Sequence, residues 1–272
     1  MGATAWCCRL VSLDALHEHI ARIVFALPEA RQVALAGGGA MLAHDLVDRP
    51  TQDVDLFTPD PSEVMQLADV LALALRGEGA QVNVDRREPG FTRLAVTVSD
   101  GRSVVVEVAH DARIREAVQL SFGRVLHPEE VAADKTLALF GRAAARDLVD
   151  VAALSQRYTL EQLCELAAEK DPGFARSVFA DALAAAAAHP DTAFAELGLE
   201  PKAVAALRAG AARWRALLLD AAGRAAPDTV RSFGAPRSPG PKAPGSGSRP
   251  RPSERHRPPP FNSGRNGPSP SL

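Results

Sequence analysis

Leu13, Leu16, Ile20, Ile23, Val24 and Leu27 recur at helical spacing, which predicts a helix over 12–27 with Ser12 as its N-cap and Pro28 at its end. The apolar run Val33-Ala34-Leu35-Ala36 reads as a short buried strand closed by Gly37-Gly38-Gly39, with a short helix over 40–46 behind it. Val54 to Phe57 predicts a second strand bounded by Pro59 and Pro61, and Ser62 then caps a longer helix to Leu75, which ends near Gly77 and Gly79. Strand-like runs follow at 81–85, 92–98 and 103–108. The last two are joined by Ser99-Asp100-Gly101-Arg102, whose Asp-Gly pair signals a hairpin. Either 117–120 or 124–126 adds one more strand. From Pro128 almost to Asp220 the period is helical, in segments 129–142, 146–156, 160–170, 174–188 and 201–221. Pro172-Gly173, Pro190 and Pro201 separate the later segments.

The expected fold class is therefore α/β (α+β). A small mixed-sheet domain over 10–126 precedes an all-helical domain over 127–222. The chain changes character at Pro227: its last 46 residues hold 12 Pro, 6 Gly and 8 Ser, too little apolar surface to fold, so 227–272 is expected to be a disordered tail. The tail carries eight basic residues against Asp228 and Glu254, a net of +6 where the whole chain is −2, so the body is acidic. A basic tail permits a nucleic-acid partner and is equally consistent with a solvated spacer.

With 46% apolar and 24% charged residues in 272, the composition excludes collagen-like and wholly disordered chains. No apolar run reaches the roughly 18 residues of a membrane span; Leu67 to Leu75 is broken by Asp69. The first residues lack a basic and apolar leader pattern, and Cys7, Cys8 and Cys164 make no disulfide framework, so a cytoplasmic protein with no membrane partner is expected. His17 and His19, two apart on one helix, do not face each other and have no zinc-like spacing to the cysteines.

The stretch that carries chemistry runs from Leu35 to Phe57: a strand, a glycine turn opening a helix, then a strand with two carboxylates. Asp53 and Asp55 alternate with Val54, so both project from one face. Two carboxylates held close repel unless a cation lies between them, and a hard divalent ion shared with substrate phosphates resolves the repulsion. The glycines let backbone N–H groups approach an anion. They are not a Walker A loop, since no Gly-Lys-Ser/Thr follows, and the dinucleotide spacing Gly-x-Gly-x-x-Gly fails at Leu42. Metal beside a phosphate cradle suggests phosphoryl or nucleotidyl transfer; a solvated strand end behind a punctuating turn fits the same residues.

Gly38-Gly39 followed by Asp53-Val54-Asp55 resembles the metal-binding signature of the DNA polymerase β nucleotidyltransferase superfamily. The fuller pattern, Gly-Gly-x-Ala at Gly37-Gly38-Gly39-Ala40 with the later Arg49-Pro50-Thr51-Gln52-Asp53-Val54-Asp55-Leu56-Phe57, is similar to the AbiEii/AbiGii toxin family of minimal nucleotidyltransferases. A second block, Lys135 followed by Arg146-Asp147-Leu148-Val149-Asp150, and the tract Glu161 to Phe174 extend the likeness over about residues 10–220.

The resemblance implies that Asp53 and Asp55 bind divalent metal, two Mg²⁺ ions, with a third carboxylate from a later strand. Glu107 is the candidate, with Asp111 and Asp85 as competitors. It implies that Lys135 faces the triphosphate or departing pyrophosphate and that Gly38, Gly39, Arg49 and Thr51 line the nucleotide. Arg49 is alternatively a salt bridge at the start of the strand. Asp147 and Asp150, three apart, share a helix face. One of them is expected to orient Lys135 or approach the acceptor, Asp147 being the expected catalytic acid, and the other to pair with Arg146 or Arg142. Where many superfamily members have Gly-Ser, this chain has Gly39.

The expected reaction is NMP transfer from an NTP to an acceptor hydroxyl with loss of pyrophosphate. The family implies a toxin of a toxin–antitoxin or phage-defence system, an acceptor that is tRNA or other RNA or a protein, and an antitoxin partner. A non-catalytic nucleotide- or partner-binding module and an aminoglycoside-type nucleotidyltransferase are the alternatives.

Overall fold

The computed structural model describes residues 13–47 and 49–225. Helix α1 (Ala15–Ala26) starts later than the periodicity suggests, because the Asp14 carboxylate accepts the N–H groups of Leu16 and His17; Ser12, the expected cap, lies outside the described residues. Strand β1 (Ala34–Leu35) leads directly into α2 (Gly37–Ala43), so the three glycines form the helix's first turn and not a separate loop. Strand β2 (Asp53–Thr58) follows, then α3 (Glu63–Gly77); Ser62 makes no capping bond, its hydroxyl being bonded to Asp60.

Strands β3 (Gln81–Glu88), β4 (Phe91–Thr97) and β5 (Ser103–His110) form an antiparallel meander. The Asp100-Gly101 turn closes β4 to β5 with Gly101 at φ +88°. Both further candidate runs are strands, β6 (Val118–Leu120) and β7 (Gly123–Val125), paired with each other. The seven strands make one mixed sheet in the order β3-β4-β5-β2-β1-β7-β6, with β2–β5 and β1–β7 parallel.

The helices that follow are α4 (Pro128–Arg142), α5 (Ala145–Leu154), α6 (Leu160–Lys170), α7 (Arg176–Ala187), α8 (Asp191–Ala195) and α9 (Pro201–Ala225). The sequence pattern omits α8, whose five residues are too few to show a period. Helix α4 packs on α2, α5, α6 and α7, and so ties the helical half to the glycine turn. One continuous apolar cluster runs from Leu16 and Ile20 through Leu35, Leu56 and Val106 to Leu148, Phe179 and Phe194. At about 25 cal/mol per Å² of buried apolar surface, that shared core holds the site's walls in register. The tail expected over 227–272 lies outside the described residues. Among the described residues no helix is long and apolar enough to cross a membrane.

Candidate active site

Alternation along β2 buries Val54, Leu56 and Thr58 and leaves Asp53 and Asp55 on the opposite face. The parallel neighbour β5 places Glu107 directly beside Asp55, on that same face. The three carboxylates that the sequence nominates are thus carried by two adjacent central strands. Asp85, by contrast, lies exposed on edge strand β3, and Asp111 lies past the end of β5.

The glycine turn is fastened to β2. The Ala36 N–H donates to the Asp55 carbonyl at 2.8 Å. Gly37 has φ +55°, and a Cβ there would lie 1.7 Å from Asp55 Oδ2; a Cβ on Gly38 would lie 2.6 Å from Thr51 Oγ1. These glycines are therefore required first by the protein's own carboxylate and hydroxyl, which press against the turn. Thr51 also brings a hydroxyl to the turn, where the chain has Gly39 in place of the commoner Ser; a Cβ on Gly39 would meet the Leu35 side chain at 3.1 Å.

Burial holds the Asp55 carboxyl above its ordinary range; Lys135 works against that shift, while the like charges of Glu107 and Asp53 add to it. An arginine stands beside each of the outer two acids. Arg146 Nη1 lies 3.9 Å from Asp53 Oδ2, and Arg93 donates Nε and Nη2 to Glu107 Oε1. Hard oxygen donors aligned on one face, with the central one repelled by its neighbours, fit a divalent cation in chemistry and sign.

Behind this face the second sequence block resolves into two pairs. Lys135, mostly buried on α4, places Nζ 3.0 Å from Asp150 Oδ2. Asp150 is fully buried and also receives the Arg49 guanidinium, whose Nη2 donates to both carboxylate oxygens at 2.6 and 2.8 Å. Arg49 is therefore the ion pair at the start of the strand, and its donors face α5 and not the glycine turn. Asp147, equally buried, has both oxygens occupied by Arg142 at 2.7 Å. Of the two acids on this helix face, Asp147 is thus the one that pairs with Arg142, and Asp150 is the one beside Lys135. The left-handed residue Ala143 (φ 49°) ends α4 and turns the chain so that Arg142 meets Asp147 on α5.

Among the described residues, the carboxylates whose oxygens converge within 4.8 Å of one another are Asp111, Glu130 and Asp134. Spacing alone would let them hold a metal, but the Lys170 ammonium sits among them, bonded to all three. The other Glu130 oxygen accepts the N–H groups of Ile114 and Arg115. The cluster is a strut, held by one ammonium, between α4, α6 and the chain after β5. Asp111 is thereby committed to Lys170, whereas Glu107 stands in register beside Asp55.

Sequence reasoning missed Arg93. The signal was available: Asp100-Gly101 sets Thr97 opposite Ser103, and counting back from that pair puts Arg93 opposite Glu107.

Residues 21–234 match the family model described as nucleotidyl transferase AbiEii toxin, type IV TA system. No curated protein matches the chain. Among solved structures the fold is similar to MenT4, a nucleotidyltransferase toxin from Mycobacterium tuberculosis H37Rv, at 21% identity and TM-score 0.51 over 75% of this chain and 83% of that one. It is also similar to a candidate nucleotidyltransferase from H. pylori, at 15% identity and TM-score 0.50 over 77% of this chain and 96% of that one. At these identities the likeness is one of fold.

Proposed function

The chain belongs to the AbiEii family of nucleotidyl transferase toxins of type IV toxin–antitoxin systems, and from that premise we propose that it transfers an NMP from an NTP to the hydroxyl of an acceptor. The observation that carries this reading is the shared face of Asp53, Asp55 and Glu107 beside the glycine turn. Those three residues would hold Mg²⁺, two ions in this reading. When bound, the metal supplies Lewis-acid stabilisation of charge on the phosphoryl oxygens.

The chain's own groups have distinct tasks. The backbone of Gly38 and Gly39 and the Thr51 hydroxyl line the phosphates. Lys135, oriented by Asp150, which Arg49 fixes in turn, faces the β- and γ-phosphates. The acceptor hydroxyl gives its proton to a carboxylate of the β2–β5 face, its oxygen bonds to the α-phosphorus as the bond to the bridging oxygen breaks, and pyrophosphate leaves toward Lys135. RNA is the acceptor in this reading, and the family supplies an antitoxin as the expected partner.

The test uses the full chain, Mg²⁺, each α-³²P-labelled NTP in turn, and bacterial RNA with cell protein. Label transferred to a discrete species, and lost in Asp53→Ala with the fold retained, is expected. Transfer undiminished in that variant removes the site assignment. Mg²⁺-dependent NTP binding without transfer to any acceptor would favour the non-catalytic module.

A further inference from the structure

Most of the cations around the β2–β5 acids are already held by a carboxylate. Lys135 and Arg49 share the buried Asp150, and Arg142 forks onto the buried Asp147. Arg93 gives two nitrogens to Glu107. A one-residue bulge at Asp85 sets Arg86 opposite Arg93, and Arg86 forks in its turn onto Glu88. Arg146 is the exception. Its ionic contact among the described residues is Asp53, at 3.9 Å, which is too long for a hydrogen bond, and 51% of its side chain is exposed. The acids of its own helix, which the sequence offers as partners, are taken by Arg142, Lys135 and Arg49.

The backbone beneath Arg146 is fixed while its guanidinium is not. Arg146 is the second residue of α5, between Ala145, which is buried, and Asp147, which is fully buried and tied to Arg142. Its Cα is therefore set within reach of Asp53, and the long side chain can pivot from there. Local stability does not account for an arginine at this point. The first turn of a helix carries the positive end of its dipole, so a cation there is unfavourable, and the cap residue Ala144 makes no side-chain bond to relieve it. The charge acts instead on the site, for it reaches Asp55 as well as Asp53.

We propose that Arg146 is an exchangeable counter-ion: Asp53 gives up its guanidinium for the divalent cation, and the guanidinium turns to hold the triphosphate of the incoming nucleotide. The inference rests on the nucleotidyl-transfer reading above and adds a nucleotide-binding residue to it. Asp53 has no other ion-pair partner among the described residues, so the two cations compete for one carboxylate. A divalent ion wins that contest, because the arginine contact is long and open to solvent. The displaced guanidinium then finds in phosphate the planar, two-oxygen partner that its fork matches. Lys135, mostly buried and held by Asp150, is a fixed point charge and cannot make this move. Arg146 thus opposes the metal and supports the nucleotide, and its removal should shift the two affinities in opposite directions.

The experiment uses the full chain, first with Mn²⁺ alone, followed by the loss of the free ion's paramagnetic resonance signal, and then with each NTP in turn at saturating Mg²⁺. In Arg146→Gln the Mn²⁺ dissociation constant is expected to fall about threefold. The NTP dissociation constant is expected to rise about tenfold in the same variant. Arg146→Lys keeps the charge without the fork, so Mn²⁺ should bind as in the unaltered chain while NTP affinity recovers only in part. A residue that merely supports the fold would weaken both affinities when removed, and that result overturns the exchange. An unaltered affinity for either Mn²⁺ or NTP in Arg146→Gln overturns it as well. NTP binding that is absent from the unaltered chain overturns the underlying transfer reading instead, so the two failures are distinguishable.

Discussion

Arg49 and Asp150 stand 101 positions apart, yet the guanidinium of one forks onto both oxygens of the other, whose side chain is fully buried. This pair fastens the approach to β2 to helix α5 and holds the acid that orients Lys135. Removing Arg49 leaves Asp150 buried with Lys135 as its remaining cation. Arg49→Ala is expected to lower unfolding stability by about 2–3 kcal/mol in a urea titration, less than for a buried charge left with no partner. Adding Asp150→Asn should return part of that loss; a double-variant loss equal to the sum of the Arg49→Ala and Asp150→Asn losses would show that the pair is not coupled.

Asp55 is expected to trade stability for chemistry. Its folded-state pKa is raised from the ordinary 3.8, so its ionisation weakens the fold. The stability associated with the protonated acid is full below that value and is lost as pH rises through the folded-state pKa. Asparagine mimics the protonated form. Without metal, Asp55→Asn should therefore unfold at a higher temperature than the unaltered chain, with a gap that widens as pH rises, while Mg²⁺-dependent NTP binding disappears. A lower midpoint at neutral pH would contradict the assigned strain.

Asp134 offers a second titration, at the Lys170 strut. Burial first, and then Asp111, push its carboxyl up to about 7 against the pull of Lys170. Its Oδ2 is buried without a partner, as a protonated or poorly served carboxyl would be. The sign is the same as for Asp55: the contribution to stability falls as pH climbs from about 4 to about 7. Thermal midpoints of Asp134→Asn should gain on the unaltered chain across that window and run parallel above it. A carboxyl ¹³C resonance that titrates near its ordinary value would refute the shift.

Ala143 adopts the left-handed conformation at the end of α4, where glycine is the residue of least strain. Ala143→Gly should stabilise the protein by about 1 kcal/mol, raising the thermal midpoint by about 2–4 °C, with NTP binding unchanged. A fall in the midpoint would mean that the lost methyl packing outweighs the relieved backbone.

Much of the β2 face is legible along the chain. Alternation puts Asp53 and Asp55 together, and the Asp100-Gly101 turn sets β5 so that Glu107 and Arg93 meet. Less legible is the start of α2. Glycine's low helix propensity argues for a loop at 37–39, but Asp55 and Thr51 crowd the turn so closely that only glycine fits it. The division between Asp147 and Asp150 is beyond periodicity altogether. Both lie on one helix face, and the choice of which meets Lys135 depends on how α5 leaves Ala143, a backbone state that alanine does not advertise. The Arg49 link is equally hidden, because nothing local reports a partner a hundred residues away.

The one-residue bulge at Asp85 makes the sign of charge on β3 a matter of chain length as well as of residue identity. Loss of the single codon for Arg86 or Arg87 would close the bulge and place Asp85 opposite Arg93. Insertion or deletion at this edge strand therefore resets the charge beside Arg93 while the pairing of β2 with β5 is left intact.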